Sequence, residues 1–213
     1  MAYDLEEQEQ LATLKDWWRR YGNLLTWVLI IVLGAYSAWS GWNYYQRSQA
    51  AQASQLYAEL QKSAAARDSA QVSRIAADMQ SKFGNTLYAE MSALAAAKAA
   101  FEANDLNAAK SQLQWVIDNG DDAEYRAIAR VRLAGILLDE KAYDQGLKLM
   151  EGEFPAHFAG IVADRKGDLL AAQGKADAAR AAYQLALGKM DPQDPARQLI
   201  QLKLDALGGA KTA

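Results

Sequence analysis

No charged side chain occurs between Arg20 and Arg47 of this 213-residue chain, and that gap constrains the fold more than any other feature. Inside it, residues 24–39 read Leu-Leu-Thr-Trp-Val-Leu-Ile-Ile-Val-Leu-Gly-Ala-Tyr-Ser-Ala-Trp. From Tyr21 to Trp42 the stretch would form a helix of about 33 Å, enough to cross a hydrocarbon core of about 30 Å. Trp17, Trp18 and Tyr21 flank one end, and Trp39, Trp42, Tyr44 and Tyr45 flank the other. Indoles and phenols collected at both ends make the double aromatic belt of a membrane-spanning helix. A cleavable signal peptide competes with this reading, because Ala35-Tyr36-Ser37 could serve as a small-x-small cleavage site. The segment before the run carries five acids, unlike a short basic leader, and the aromatic belt continues past the supposed cut. Both points favour a retained anchor at 22–43.

Lys15, Arg19 and Arg20 precede the anchor closely, whereas Arg47 stands alone on the far side until Lys62. Cations flanking a span face the cytoplasm, and acids count little in this rule. The expected topology is a cytoplasmic segment at 1–21 and a domain at 44–207 beyond the membrane. A flexible tail is expected at 208–213. In a bacterium this makes an inner-membrane, single-pass protein with its carboxy-terminal domain in the periplasm.

The chain has no cysteine, which removes disulfide scaffolds, thiol catalysis and cysteine metal sites. Its single histidine, His157, makes histidine metal centres and a catalytic triad improbable. A net charge of −3 argues against nucleic-acid binding, which needs a basic face. Alanine is abundant and proline is limited to 3 residues, a composition suited to packed helices.

Beyond the anchor, apolar periodicity and turn residues predict helices over 42–66, 69–82, 86–103, 105–118, 123–140, 142–150, 156–173, 175–190 and 195–207. The first of these can simply continue the spanning helix. In the window from 167 to 187, Gly167, Leu170 and the turn residue Gly174 are followed by Ala179, Tyr183 and Ala186-Leu187. The pattern resembles the tetratricopeptide repeat: small residues let two helices approach, and Tyr183 is expected to fill the groove between neighbouring hairpins. Ala109 and Leu113 take the equivalent places in an earlier window, and Gly146 and Met150 in another. Offsets of 37 and 33 residues bracket the 34-residue period of this repeat. A degenerate first unit surrounds Leu56, Tyr57, Ile75 and Met79. The expected fold is all-α: one amino-terminal transmembrane helix followed by a tetratricopeptide-like, right-handed array of helical hairpins.

The chain opens Met1-Ala2-Tyr3-Asp4-Leu5-Glu6-Glu7-Gln8-Glu9-Gln10-Leu11-Ala12-Thr13-Leu14-Lys15-Asp16-Trp17-Trp18-Arg19-Arg20-Tyr21-Gly22-Asn23 and runs directly into the spanning helix and the repeats. That order is similar to the YfgM family, ancillary subunits of the SecYEG translocon. The resemblance implies a non-enzymatic periplasmic repeat domain. It would work beside the translocon with a PpiD-like membrane-anchored chaperone, aiding proteins as they emerge. A regulatory link to an envelope-stress response is also implied. The resemblance carries no residue of assigned function, no cofactor and no small-molecule substrate.

Gly34, Ser37, Ala38 and Gly41 fall on one face of the spanning helix, which could let another helix approach closely. Small residues are also common in such helices without that role. Leu11, Leu14, Trp18 and Tyr21 make a short amphipathic face whose neighbours Lys15, Arg19 and Arg20 can meet anionic lipid headgroups. Simple membrane anchoring fits this segment better than docking on a partner. His157 reads as a surface or capping residue. Asp118-Asn119-Gly120-Asp121-Asp122 reads as a turn and helix cap, since it lacks calcium-loop spacing. Asp139-Glu140 and the Glu151/Glu153 pair sit at hairpin ends, where solvated carboxylates do not act as an acid–base pair.

Repeat arrays bind through the groove lined by the first helix of each hairpin. Candidate contacts there are Tyr88, Lys98, Tyr125, Arg126, Arg130, Arg132 and Arg165, with Asp164 beside them. Met91 and Phe158 fit the core better. The leading functional reading is a membrane-anchored adaptor. A regulator acting through the cytoplasmic segment and a scaffold for envelope assembly are the alternatives; nothing in the sequence assembles a catalytic or metal centre.

Overall fold

The structure, a computed structural model, describes residues 2–208, with side chains from Gln10 onward. The acids at 4–9 therefore lie outside the described side chains, as does all of the expected tail except Gly208. Every regular element among the described residues is helical, and none is a strand. They are α1 (Ala2–Ala65), α2 (Ser69–Phe83), α3 (Leu87–Glu102), α4 (Leu106–Asn119), α5 (Ala123–Asp139), α6 (Tyr143–Leu149), a 3-10 turn (Ala156–Phe158), α7 (Ala159–Ala172), α8 (Ala176–Lys189) and α9 (Ala196–Ala206). The chain divides into two compact units between Gln49 and Ala50. No break in α1 marks positions 21 or 43.

In the first unit, α1 is long and apolar enough to cross a membrane. Its large apolar side chains, among them Trp27, Leu29, Ile31, Leu33, Tyr36 and Trp39, stand exposed around the helix. An apolar girdle of this size is foreign to a water-facing surface. Aromatic residues pair along the helix at both ends, Trp17 with Tyr21 and Trp42 with Tyr45. The Trp18 indole covers Gly22, where an added Cβ would lie 3.1 Å from the ring. The Thr26 hydroxyl donates to the Gly22 carbonyl at 2.8 Å, so it spends its donor within its own helix. Nothing lies within 4 Å of a Cβ built on Gly34 or Gly41.

The second unit is a row of hairpins: the end of α1 with α2, then α3 with α4, α5 with α6, and α7 with α8, closed by α9. Each hairpin turns through the same device. The second residue after the first helix takes a left-handed conformation at Arg67, Asn104, Lys141 and Gly174. The next backbone N–H donates five residues back: Asp68 to Ser63, Asp105 to Ala100, Ala142 to Leu137 and Lys175 to Leu170. This is the Schellman motif, which satisfies carbonyls left free where a helix ends. Asp68 and Asp105 then accept from the first turn of the following helix. The hairpin around Leu56 and Ile75, degenerate in sequence, therefore turns in the same way as the later ones.

There is no single core. One buried cluster joins α3, α4 and α5 through Ala93, Ala97, Ala109, Leu113, Val116 and Leu133. A second joins α5 to α7 through Ala134, Met150, Phe158 and Leu169, and a third joins α7 to α9 through Ala163, Ala179, Tyr183, Ala186 and Ile200. Each helix pair shares its apolar face with the next, the arrangement expected of a repeat array. Buried alanines let helix axes approach closely, which accounts for the alanine-rich composition.

The packing positions refine the repeat template. Tyr183 lies on Gly167 of its own hairpin, where an added Cβ would come within 2.4 Å of the ring. It also joins Ile200 and Leu204 of α9. Leu170 is only half-buried, and the leucine that reaches the preceding hairpin is Leu169. A Cβ on Gly146 would lie 2.7 Å from Leu169 Cδ2.

Candidate functional site

The first helices of three successive hairpins, α3, α5 and α7, together with Leu113 of α4, line an open groove of about 430 Å³. Its floor is Ala97, Leu113, Gly135 and Ile136, and its rim holds Lys98, Phe101, Arg132, Asp139 and Arg165. Lys98 and Phe101 lie one turn apart on α3, and Arg132, Gly135, Ile136 and Asp139 follow one face of α5. Phe101 is half exposed at the rim.

Three cations from three helices therefore surround an apolar floor. Lys98 is 3.7 Å from Glu102 on its own helix, a solvent-exposed pair that holds it only weakly. Arg132 is exposed and makes no hydrogen bond or ion pair with a described residue. The Arg165 guanidinium reaches across to α5 and covers Gly135, where an added Cβ would lie 3.5 Å from Cζ. Arg165 Nη1 is 3.4 Å from Asp168, and its Nε is buried without a hydrogen-bond partner.

The other candidate contacts lie elsewhere. Arg130 projects from the opposite face of α5 to Arg132, because two residues rotate a helix by about 200°, and Arg126 lies one turn before Arg130, about 40° round the helix from it. Arg126 donates to the Gly120 carbonyl at 2.9 Å. Arg130 donates to the carbonyls of Leu149, Glu151 and Glu153 and lies 3.8 Å over the Phe154 ring. Both arginines tie down turns. Tyr88 packs on Tyr57 with ring centroids 5.7 Å apart, and Tyr125 packs against the α3–α5 core. Burial and the Asp122 carboxylate push the Tyr125 hydroxyl above the usual phenol range. His157 is exposed and stacks on Phe158, a member of the core. Asp122 caps α5 by accepting from the N–H groups of Glu124 and Tyr125. Among the described residues, no group of three or more acidic or histidine side chains could hold a metal ion.

Two polar features escaped the sequence reading. Glu90, in the first turn of α3, is 4% exposed. Its Oε1 accepts from the N–H groups of Asp121 (3.0 Å) and Asp122 (3.3 Å), while Oε2 is buried without a partner. Burial raises its pKa, outweighing those two hydrogen bonds. Because the folded state then holds its proton more tightly, stability is greatest below the unfolded carboxylate range. It falls as pH rises through the elevated folded value. Glu90→Gln is accordingly expected to raise the urea midpoint at pH 7 and to shrink the gain seen on acidifying to pH 5. An undiminished acid gain in the variant would show that Glu90 does not carry it.

The second feature is a half-buried network in the last hairpin. Lys203 Nζ of α9 lies 2.8 Å from Asp164 and 2.7 Å from Asp168 of α7. The Tyr183 hydroxyl donates to Asp168 at 3.0 Å. Asp164 is thus committed to Lys203 rather than free in the groove. Burial raises the pKa of Asp164, and Asp168 adds to the rise because two carboxylates share one ammonium. Burial opposes the charge on Lys203, but its hydrogen bonds to both aspartates prevail and raise its pKa.

A row of helical hairpins with an open, cation-rimmed groove, carried with an exposed apolar helix, defines a helical-repeat protein of the binding kind with a candidate membrane anchor. The chain matches the family model described as tetratricopeptide repeat-like domain over residues 15–209, apolar helix included. It is 33% identical over 97% of its length to the whole of a Neisseria gonorrhoeae protein named ancillary SecYEG translocon subunit. It is 28% identical, over 97% of its length, to the whole of a Haemophilus influenzae protein of that name. An Escherichia coli protein so named is 29% identical over 52% of this chain and 53% of its own length. No solved structure matches. The chain belongs to the YfgM family of ancillary SecYEG translocon subunits.

Proposed function

We propose that this protein is a membrane-anchored adaptor of the Sec translocon. The observation that carries the reading is the full-length likeness to proteins named ancillary SecYEG translocon subunit. The exposed apolar helix supports residence in the bilayer beside a channel, and the flanking cations Lys15, Arg19 and Arg20 support a cytoplasmic amino terminus. The repeat domain then lies in the periplasm, where its groove docks a PpiD-like chaperone or an emerging envelope protein. It works by binding, without catalysis. In the anchor, Gly34, Ser37, Ala38 and Gly41 offer a face on which a partner helix can pack, since no described side chain occupies the space over either glycine.

Photocrosslinking from Ser37 and Trp39 in native membranes tests this directly. Adducts with a translocon subunit or a PpiD-like chaperone are expected, and they should survive deletion of residues 1–20. Recovery of neither partner would overturn the adaptor reading. Loss of function on deleting 1–20, with the anchor intact, would favour a cytoplasmic regulator instead.

A further inference from the structure

We infer that the α3–α5–α7 groove binds an acidic segment of a partner protein, in which carboxylate side chains flank an apolar one. The inference rests on the adaptor reading and names what its groove recognises. An arginine carries five N–H donors in a fixed fork that fits a carboxylate. Arg132 makes no hydrogen bond or ion pair with a described residue, and Arg165 has a buried Nε without a partner and one long contact to Asp168. Asp168 meets Arg165 only through Oδ2 at 3.4 Å, while its Oδ1 is held at shorter range by Lys203 and the Tyr183 hydroxyl. Incoming carboxylates on Arg132 and Arg165 would supply acceptors that the fold does not.

The remaining surface sets the rest of the ligand. Half-exposed Phe101, over the floor made by Leu113 and Ile136, offers an apolar seat between Lys98 on α3 and the two arginines. About 430 Å³ admits one or two side chains of a bound segment, not a folded domain. The lining itself holds three cations, Lys98, Arg132 and Arg165, against one acid, Asp139; Glu102 and Asp168 lie outside it, each beside one of those cations. An acidic chain gains from this imbalance and a basic one is repelled. The apolar floor selects against a bare inorganic anion.

The test uses the full chain in lipid nanodiscs. The probe is a fluorescent ten-residue peptide, capped at both ends, with three glutamates around one leucine and one phenylalanine. Fluorescence anisotropy should show binding that weakens on going from 50 to 300 mM salt. Replacing the glutamates with glutamine should lower affinity about 10-fold or more, and Arg132→Gln should do the same. Lys189→Gln, an exposed cation of α8 outside the groove, should leave binding unchanged. Equal binding of the glutamine peptide, or an unaltered affinity in Arg132→Gln, would overturn the inference. Recovery of the glutamine peptide by a free terminal carboxylate alone would do so too, by assigning recognition to a chain end. Crosslinking to the translocon in the unaltered chain separates the two levels. If that chain crosslinks but does not bind the acidic peptide, only the groove assignment falls; if it gives no crosslinks, the adaptor reading falls.

Discussion

Gly167→Ala should destabilise the repeat domain by about 2–3 kcal/mol, lowering its thermal midpoint by about 5–10 °C. Helix propensity alone gives the opposite sign, since alanine is favoured over glycine by about 1 kcal/mol inside a helix. The collision decides the outcome. The new Cβ would stand 2.4 Å from Tyr183 Cε1 and 2.5 Å from Cδ1, atoms of a rigid ring that is itself 3% exposed. That ring is also held by its hydroxyl on Asp168 and packed against α9, so it cannot swing aside without opening the third cluster. Gly188→Ala provides the contrast within α8: an added Cβ there meets nothing within 4 Å, so the substitution should stabilise by about 0.5–1 kcal/mol. Circular dichroism melts of both variants give the two signs. In a Tyr183→Ala background, Gly167→Ala should lose most of its cost, because the ring it strikes is gone. A similar cost with and without the ring would show that the close approach to Tyr183 is not the cause.

Lys203→Met should cost about 3 kcal/mol at pH 7. Methionine preserves most of the stem's volume but leaves Asp164 and Asp168 half-buried without their ammonium, with Arg165 left as the cation beside Asp168 and the Tyr183 hydroxyl as its donor. The loss should show a definite pH dependence. In the native protein the Lys203 pKa is raised, so its contribution is fully present below the unfolded lysine value and fades as pH climbs through the folded one. Asp164 is also raised, so its ionisation costs stability as pH rises through its folded value. Removing the ammonium pushes Asp164 further up. Acidification from pH 7 to pH 5 should therefore restore part of the deficit, as the carboxylate takes a proton in the folded state first. Urea titrations at the two pH values measure it. A deficit that stays constant between them would mean the destabilisation comes from lost packing, not from stranded charge.

The legibility of this protein divides along the range of its interactions. From α2 onward the helix boundaries were readable to within a residue or two, because their signals are local; the start expected at 42 is absent from the continuous α1, and residues 156–158 form a 3-10 turn ahead of α7. Asp68, Asp105 and Asp122 cap the helices that follow them, and Gly174 and Asn104 take the left-handed turn. Arg67 and Lys141 adopt that same conformation with no glycine or asparagine to announce it; the shared hairpin geometry imposes it. The groove was legible only in outline. The seven candidate contacts stand on α3, α5 and α7, yet only Lys98, Arg132 and Arg165 line the groove. Arg130 and Arg132 differ by two residues in the chain but face opposite sides of α5. Phe101 was not among those candidates, and the structure leaves it half exposed at the rim.

Glu90 and Lys203 mark the limit most clearly. An acid in a first helical turn reads as a solvated, dipole-matched residue. Glu90 is buried because the turn between α4 and α5 folds over it from 31 residues away. Lys203 meets Asp164 across 39 residues and reads locally as an exposed helix lysine. The sequence by itself determined the apolar helix, the all-helical class and the hairpin repeat, because hydropathy, capping and i→i+4 hydrogen bonding act over a few residues. Tertiary structure alone decided which charges are free and which are spent. Burial and pairing depend on what the next hairpin places against a helix face, and that information sits one repeat away.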